Sequence, residues 1–187
     1  PLGMRGTVSR DMLLEDVFVP DSANVLPPGV FGGLYLSSSH GPIAFSATFL
    51  GLAQQAFDFA VAYLRGDVEG SPAKGPVGAA TAHAVADMHF KLEAARALYY
   101  RAASEAPLPP SKEIARRALA AHVTIQRTVV DVTQEAMRVC GGRGTLKRLP
   151  LERYARDARA SAVMRPWTQD IATENTWKSI LGSDAAP

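Results

Sequence analysis

The strongest constraint in this chain is an apolar stripe made of Ile114, Ala118, Ala121, Ile125, Val129, Val132, Ala136 and Val139, each three or four residues after the last. An α-helix completes a turn about every 3.6 residues, so this spacing places the whole set on one face. The stripe predicts one long helix from about Lys112 to Cys140 with a single buried side. Ser111 stands where a hydroxyl accepts hydrogen bonds from the free N–H groups of a first turn. Gly141-Gly142 stand at the other end, where glycine takes the left-handed cap conformation without a Cβ penalty. A helix of this kind needs neighbours with matching faces.

The rest of the chain offers them. Phe45, Phe49, Leu52, Ala56, Phe59 and Tyr63 repeat at helical spacing between Pro42 and Arg65. Val85, Met88, Leu92, Ala95 and Tyr99 do so between Gly78 and Ser104, and Pro107, Pro109 and Pro110 break the chain after them. A fourth helix, about Leu151 to Met164, begins at Pro150; there Glu152/Arg156 and Arg153/Asp157 pair opposite charges at i,i+4. A final segment from Pro166 has Ile171, Trp177, Ile180 and Leu181 as expected anchors. The fold class is therefore all-α, an antiparallel helical bundle over residues 31–187. Residues 1–30 carry the short apolar runs Met12-Leu13-Leu14 and Val17-Phe18-Val19, closed by Pro20, and read as a β remnant with its linker. One or two strands with no sheet to join are unstable alone, so these residues need a partner.

Composition narrows the functional classes. A net charge of +2, with no basic cluster interleaved with aromatics, argues against nucleic acid. No apolar run approaches the about 18 residues of a membrane helix, and no signal-peptide pattern opens the chain. The single cysteine, Cys140, excludes an internal disulfide framework and suits a reducing cytoplasm. At a helix C-terminus it lacks the positive dipole that activates a thiol, so it is expected to be inert. His83, His89 and His122 have no carboxylate or cysteine at ligand spacing; they are read as surface or packing residues, and no metal site is expected. His40, ahead of the first bundle helix, is a weak candidate base because imidazole titrates near neutrality, but a loop histidine before a helix explains it better.

Three segments, in order, resemble the acyl-CoA dehydrogenase superfamily. Leu2-Gly3-Met4-Arg5-Gly6-Thr7 with Leu14-Glu15-Asp16-Val17-Phe18-Val19-Pro20 is similar to the end of that family's β-domain. Gly51-Leu52-Ala53-Gln54-Gln55-Ala56 resembles its first bundle helix, and Gly141-Gly142-Arg143-Gly144 with Glu152-Arg153 and Arg156-Asp157-Ala158 resembles its C-terminal signature. The resemblance implies the C-terminal half of a longer flavin-dependent oxidoreductase that oxidises the α,β bond of an acyl thioester. FAD is the implied cofactor, with FMN the alternative. The implied cofactor-binding residues are Gly141, Gly142, Arg143 and Gly144, with Arg65 as a further candidate.

The resemblance also marks departures. The position of the family's catalytic glutamate falls on Arg165, and its alternative position falls near Gly41, beside His40. Arginine stays protonated and cannot serve as the base. Ala86-Asp87-Met88 keeps one family motif, but small residues around Ala79 and Ala82 replace the flavin-contacting glutamines. Two further readings stay open. One is a monooxygenase on the same fold that uses reduced flavin, although Met164 stands where many such enzymes carry a histidine. The other is a non-catalytic subunit packed against a complete family member. The implied assembly is a homo-oligomer, dimer or tetramer, or a heteromer with a relative. Gly33, Leu34 and Tyr35 are expected pocket-liners.

Overall fold

In a computed structural model of the chain, residues 2–31, 39–72, 75–106 and 111–182 are described. Among the described residues five helices carry the fold: α1 His40–Arg65, α2 Ala79–Ser104, α3 Lys112–Cys140, α4 Leu151–Val163 and α5 Gln169–Leu181. The long helix expected from the apolar stripe is α3, and the Ser111 hydroxyl accepts from the Ile114 N–H at 3.2 Å, as the sequence leads one to expect.

Direction follows from which ends meet. Ser46, early in α1, touches His122, early in α3, while Gly70 just past α1 meets Arg143 just past α3. The two helices therefore run parallel. Glu105, at the end of α2, pairs with Arg117 near the start of α3, so α2 runs opposite to both. Gln126 of α3 reaches the Ser161 carbonyl near the end of α4, which makes α4 antiparallel to α3. The result is an up-down-up-down bundle in which α3 packs on all four other helices.

Ile125, Val129, Val132 and Ala136 of α3 are fully buried against Phe49, Ala53 and Ala56 of α1 and Met88, Leu92 and Ala95 of α2. Alternating large and small side chains let the helices approach closely. Each large side chain so buried contributes about 1.5–3 kcal/mol. Cys140 closes this core at one end, and burial pushes its thiol up to about 11.

Two sequence expectations change in detail. No strand forms among the described residues: residues 2–29 hold only 3₁₀ turns at Arg5–Thr7 and Asp21–Ala23 between irregular stretches. The physical reason is that a strand needs a neighbouring edge for its N–H and C=O groups, and this chain supplies none. The segment is held at its start, where Asp157 accepts from the Met4 N–H and Arg156 donates to the Leu2 carbonyl. Beyond that point Met12, Leu13 and Phe18 are all more than 80 % exposed. In α5, the expected anchors Trp177, Ile180 and Leu181 are exposed. Ala172 is buried instead, packed with Trp167 and Leu119, because a helix docks most closely through a small residue. Gly33, Leu34 and Tyr35 lie outside the described residues. Among those residues no helix is long and apolar enough to cross a membrane.

Ile125→Ala should cost about 2–5 kcal/mol of stability, read from the urea midpoint, whereas Val163→Ala, at an exposed site, should stay within about 0.5 kcal/mol. Cys140 should resist alkylation by iodoacetamide at pH 8 in the folded protein and react at the ordinary cysteine rate once denatured, followed by mass spectrometry.

Candidate functional site

The sequence-selected residues gather at the two ends of α1. At its start, Gly41 faces the indole of Trp167: a Cβ built on Gly41 would lie 2.1 Å from the ring. That contact brings His40, the exposed first residue of α1, to the same end of the bundle as Arg165. The two positions at which the sequence resemblance leads one to expect a base thus lie at one end of the bundle, Arg165 near a Gly41 that Trp167 leaves no room to enlarge.

Between them lies a narrow cleft with room for about one water, lined by Phe45, Phe49, His122, Gln126, Met164, Arg165 and Trp167. Phe45 and Trp167 meet at a ring distance of 5.8 Å. The cleft lining includes no carboxylate, and among the described residues no cluster of His, Cys, Asp and Glu could hold a metal ion.

His122 and Gln126 build the floor, and sequence reading missed their role. Both sit on α3 one turn apart, beside the apolar stripe, and both are almost completely buried. Gln126 Nε2 donates to the carbonyls of Ser161, at 2.7 Å, and Trp167, at 3.0 Å. One amide thereby pins the chain on both sides of residues 162–166. Two carbonyls facing the same atom identify it as the nitrogen, so Oε1 points the other way, and it has no hydrogen-bond partner.

His122 Nε2 lies 3.1 Å from the Trp167 carbonyl, and Nδ1 lies 2.8 Å from Ser46 Oγ. The Ser46 hydroxyl donates to the Pro42 carbonyl at 2.6 Å, and its oxygen meets Nδ1 while Nε2 faces the Trp167 carbonyl. Burial lowers the His122 pKa, opposed by the contacts with the Trp167 and Pro42 carbonyls. The imidazole is thus packed, neutral at pH 7 and engaged at both nitrogens. It positions Trp167 and has no nitrogen left over to act as a base. A signal was present in the sequence: His and Gln at i,i+4 alongside an otherwise apolar seam mark polar groups that must find partners inside.

The other cluster lies at the far end. Gly141–Thr145 form a 3₁₀ turn after α3. Gly141 has φ +68°, a conformation that favours glycine, and a Cβ on Gly144 would come within 2.9 Å of the Met137 carbonyl. Gly142 differs, since a Cβ there would meet nothing within 4 Å. Arg143 Nη1 donates to the Gly70 carbonyl at 3.1 Å, tying the turn to the loop that follows Arg65, which is exposed at the end of α1. The signature beyond the turn is half formed as ion pairs. Arg156 binds Glu152 through two nitrogens and holds its carboxyl below the usual range, while Arg153 lies over the Tyr154 ring at 5.4 Å. Asp157 instead accepts from Met4.

Because the folded protein favours neutral His122, stability should be full above about pH 6.5 and should decline as pH falls through that value towards the lower folded pKa. His122→Gln should flatten this decline in thermal melts taken between pH 7 and 5.

A family model described as "Acyl-CoA dehydrogenase, C-terminal domain" matches residues 39–172. The chain is 32% identical over 166 residues to the mitochondrial short-chain specific acyl-CoA dehydrogenase of Bos taurus, covering 87% of this chain and 39% of that protein. It is 31% identical over 178 residues to the 3-sulfinopropanoyl-CoA desulfinase of Paraburkholderia xenovorans (strain LB400), covering 92% of this chain and 45% of that one. Among solved structures, KijD3 in complex with FMN and a dTDP-sugar superposes with a TM-score of 0.68 at 25% identity, covering 79% of this chain and 37% of that one. The chain spans less than half the length of each of these proteins. The match over most of its helices and the shared bundle place this chain in the acyl-CoA dehydrogenase family, as its C-terminal helical domain.

Proposed function

We propose that this chain is the C-terminal part of a flavin-dependent oxidoreductase that acts on an acyl thioester, with residues 1–30 closing a β-domain supplied by the preceding part of the protein. The exposed Met12, Leu13 and Phe18 support that division, because they form an apolar segment in want of a sheet.

The observation that carries the flavin reading is Gly142. Conformation accounts for Gly141 and internal packing for Gly144, whereas Gly142 leaves bare backbone facing open space. Bare N–H groups in such a turn suit the close approach of a phosphate. Arg143, already oriented by Gly70, adds a charge for hydrogen bonds to it. The residues present therefore fit the diphosphate of FAD, or the single phosphate of FMN, and a bound flavin would supply the two-electron acceptor.

Geometry also favours an oligomer. α1 has 26 residues, about 39 Å at 1.5 Å per residue, and it separates the glycine turn from the cleft. An extended flavin dinucleotide is shorter than this, so one flavin does not reach both ends within a single chain. Two copies, or a copy and a relative, can place the turn of one beside the cleft of the other. That reading gives a homo-oligomer, dimer or tetramer, or a heteromer.

In the cleft, Trp167 fills the space beside Gly41 and His122 is fully engaged, so a base for α-proton removal would come from outside the described lining. A second reading, a monooxygenase that uses reduced flavin, is favoured by the same lack of a carboxylate. It needs no glutamate.

The test is anaerobic addition of butyryl-CoA to the full-length protein. Bleaching of bound flavin supports the dehydrogenase. Oxygen uptake only when a reductase supplies reduced flavin supports the monooxygenase. An absence of flavin, with none taken up from excess FAD or FMN, overturns both in favour of a structural subunit. Gly142→Val should leave the melting temperature unchanged and lower the flavin-to-protein ratio, while Gly144→Ala should lower the melting temperature itself.

A further inference from the structure

We infer that a cavity between the N-terminal segment, α1 and α4 binds a compact, uncharged apolar group. The acyl end of the thioester proposed above is one source of such a group and a free small hydrocarbon is the other, so the inference goes beyond that reading and does not fall with it.

The cavity measures about 230 Å³ and is lined by Met4, Gly6 and Thr7 of the N-terminal segment, Thr48, Phe49 and Leu52 of α1, and Asp157 of α4. Its surface is mostly apolar. A dry apolar cavity of about 150 Å³ admits benzene, so this one has space for a ring of that size with a short substituent. Phe49 also lines the narrow cleft beside Trp167, and its buried ring closes the cavity on that side.

Three observations mark a space that is kept open. First, Gly6 lies outside the left-handed region, and a Cβ built on it would meet nothing within 4 Å. Neither conformation nor packing calls for glycine there, and its bare backbone widens the cavity. Second, the outer wall is fastened before any ligand arrives. Gly3 lies so close to α4 that a Cβ on it would come 2.1 Å from the Arg156 carbonyl oxygen. Asp157 accepts from the Met4 N–H, and the Thr7 hydroxyl donates to the Met4 carbonyl at 2.9 Å. A wall held in this way loses little entropy on binding.

Third, the charge pattern selects against ions. Asp157 is the one charged residue in the lining, so an anionic group would face a carboxylate with no cation beside it. A cationic group gains little, because the Met4 N–H and the neighbouring Arg156 already answer the charge of Asp157. An uncharged group covers Met4, Phe49 and Leu52 at no such cost.

Toluene, benzoate and benzylammonium are nearly equal in size and differ in charge, and calorimetric titration of each into the full-length protein tests the inference without recourse to flavin. Toluene should bind about ten-fold or more tightly than either ion. Thr48 is an exposed residue of the lining, so Thr48→Phe fills the cavity without entering the core. That variant should weaken toluene about ten-fold or more and leave the melting temperature unchanged, whereas Thr48→Ser should keep toluene binding. Absence of toluene binding, a preference for either ion, or binding that survives Thr48→Phe overturns the inference. Hexanoyl-CoA separates the two sources: displacement of toluene identifies the acyl chain as the occupant, and toluene binding that hexanoyl-CoA leaves intact identifies a free apolar molecule. Failure of the flavin and butyryl-CoA tests above leaves the toluene result standing.

Discussion

The bundle depends on one constraint, the burial of the α3 apolar face. Among the described helices α3 packs on all four others, because its stripe is wide enough to serve α1 and α2 on one flank and α4 and α5 on the other. Small residues make this geometry possible. Ala118, Ala121 and Ala136 bring backbones close, while Ile125, Val129 and Val132 fill the space between them. The charged faces contribute far less: pairs such as Lys91 with Asp87 and Asp131 are exposed, and exposed pairs add about 0–1 kcal/mol each.

The same helix carries two polar residues into the interior, and the candidate site grows from them. Buried amides and imidazoles are costly unless bonded, so His122 and Gln126 must draw something polar to the seam. They draw the backbone that connects α4 to α5. Stability and site geometry are thereby joined: the contacts that satisfy a core histidine and glutamine also set the position of Arg165 and Trp167. The opposite end follows another logic, since its glycine turn is held by Arg143 and by tight packing on Met137, with one residue of bare backbone turned outward.

Helix positions were legible because burial follows a period that needs only local spacing. The stripes along α1, α2 and α3, the Ser111 cap and the Gly141 stop can all be read within a few residues, and the family signature confirms their order. Trp177, Ile180 and Leu181 in α5 were misjudged as anchors because hydrophobicity alone does not say which face docks; the small Ala172 decided it. The strand pattern of residues 1–20 was a property of the segment, but pairing is a property of two segments, and one of them is missing from this chain. His122 was grouped with surface or packing histidines, since the number of hydrogen bonds a ring will make depends on what folds against it.

What the sequence alone determined is therefore the set of helices, their approximate lengths and the family. Those features are local or one-dimensional, being periodicity, caps and motif order. Only the tertiary structure decided that Trp167 stands on Gly41, that Gln126 grips the chain on both sides of Arg165, and that the glycine turn lies a full helix length from the cleft. Each of these joins residues far apart in the chain, and such contacts arise when closely packed helices bring together groups whose spacing in sequence carries no record of the meeting.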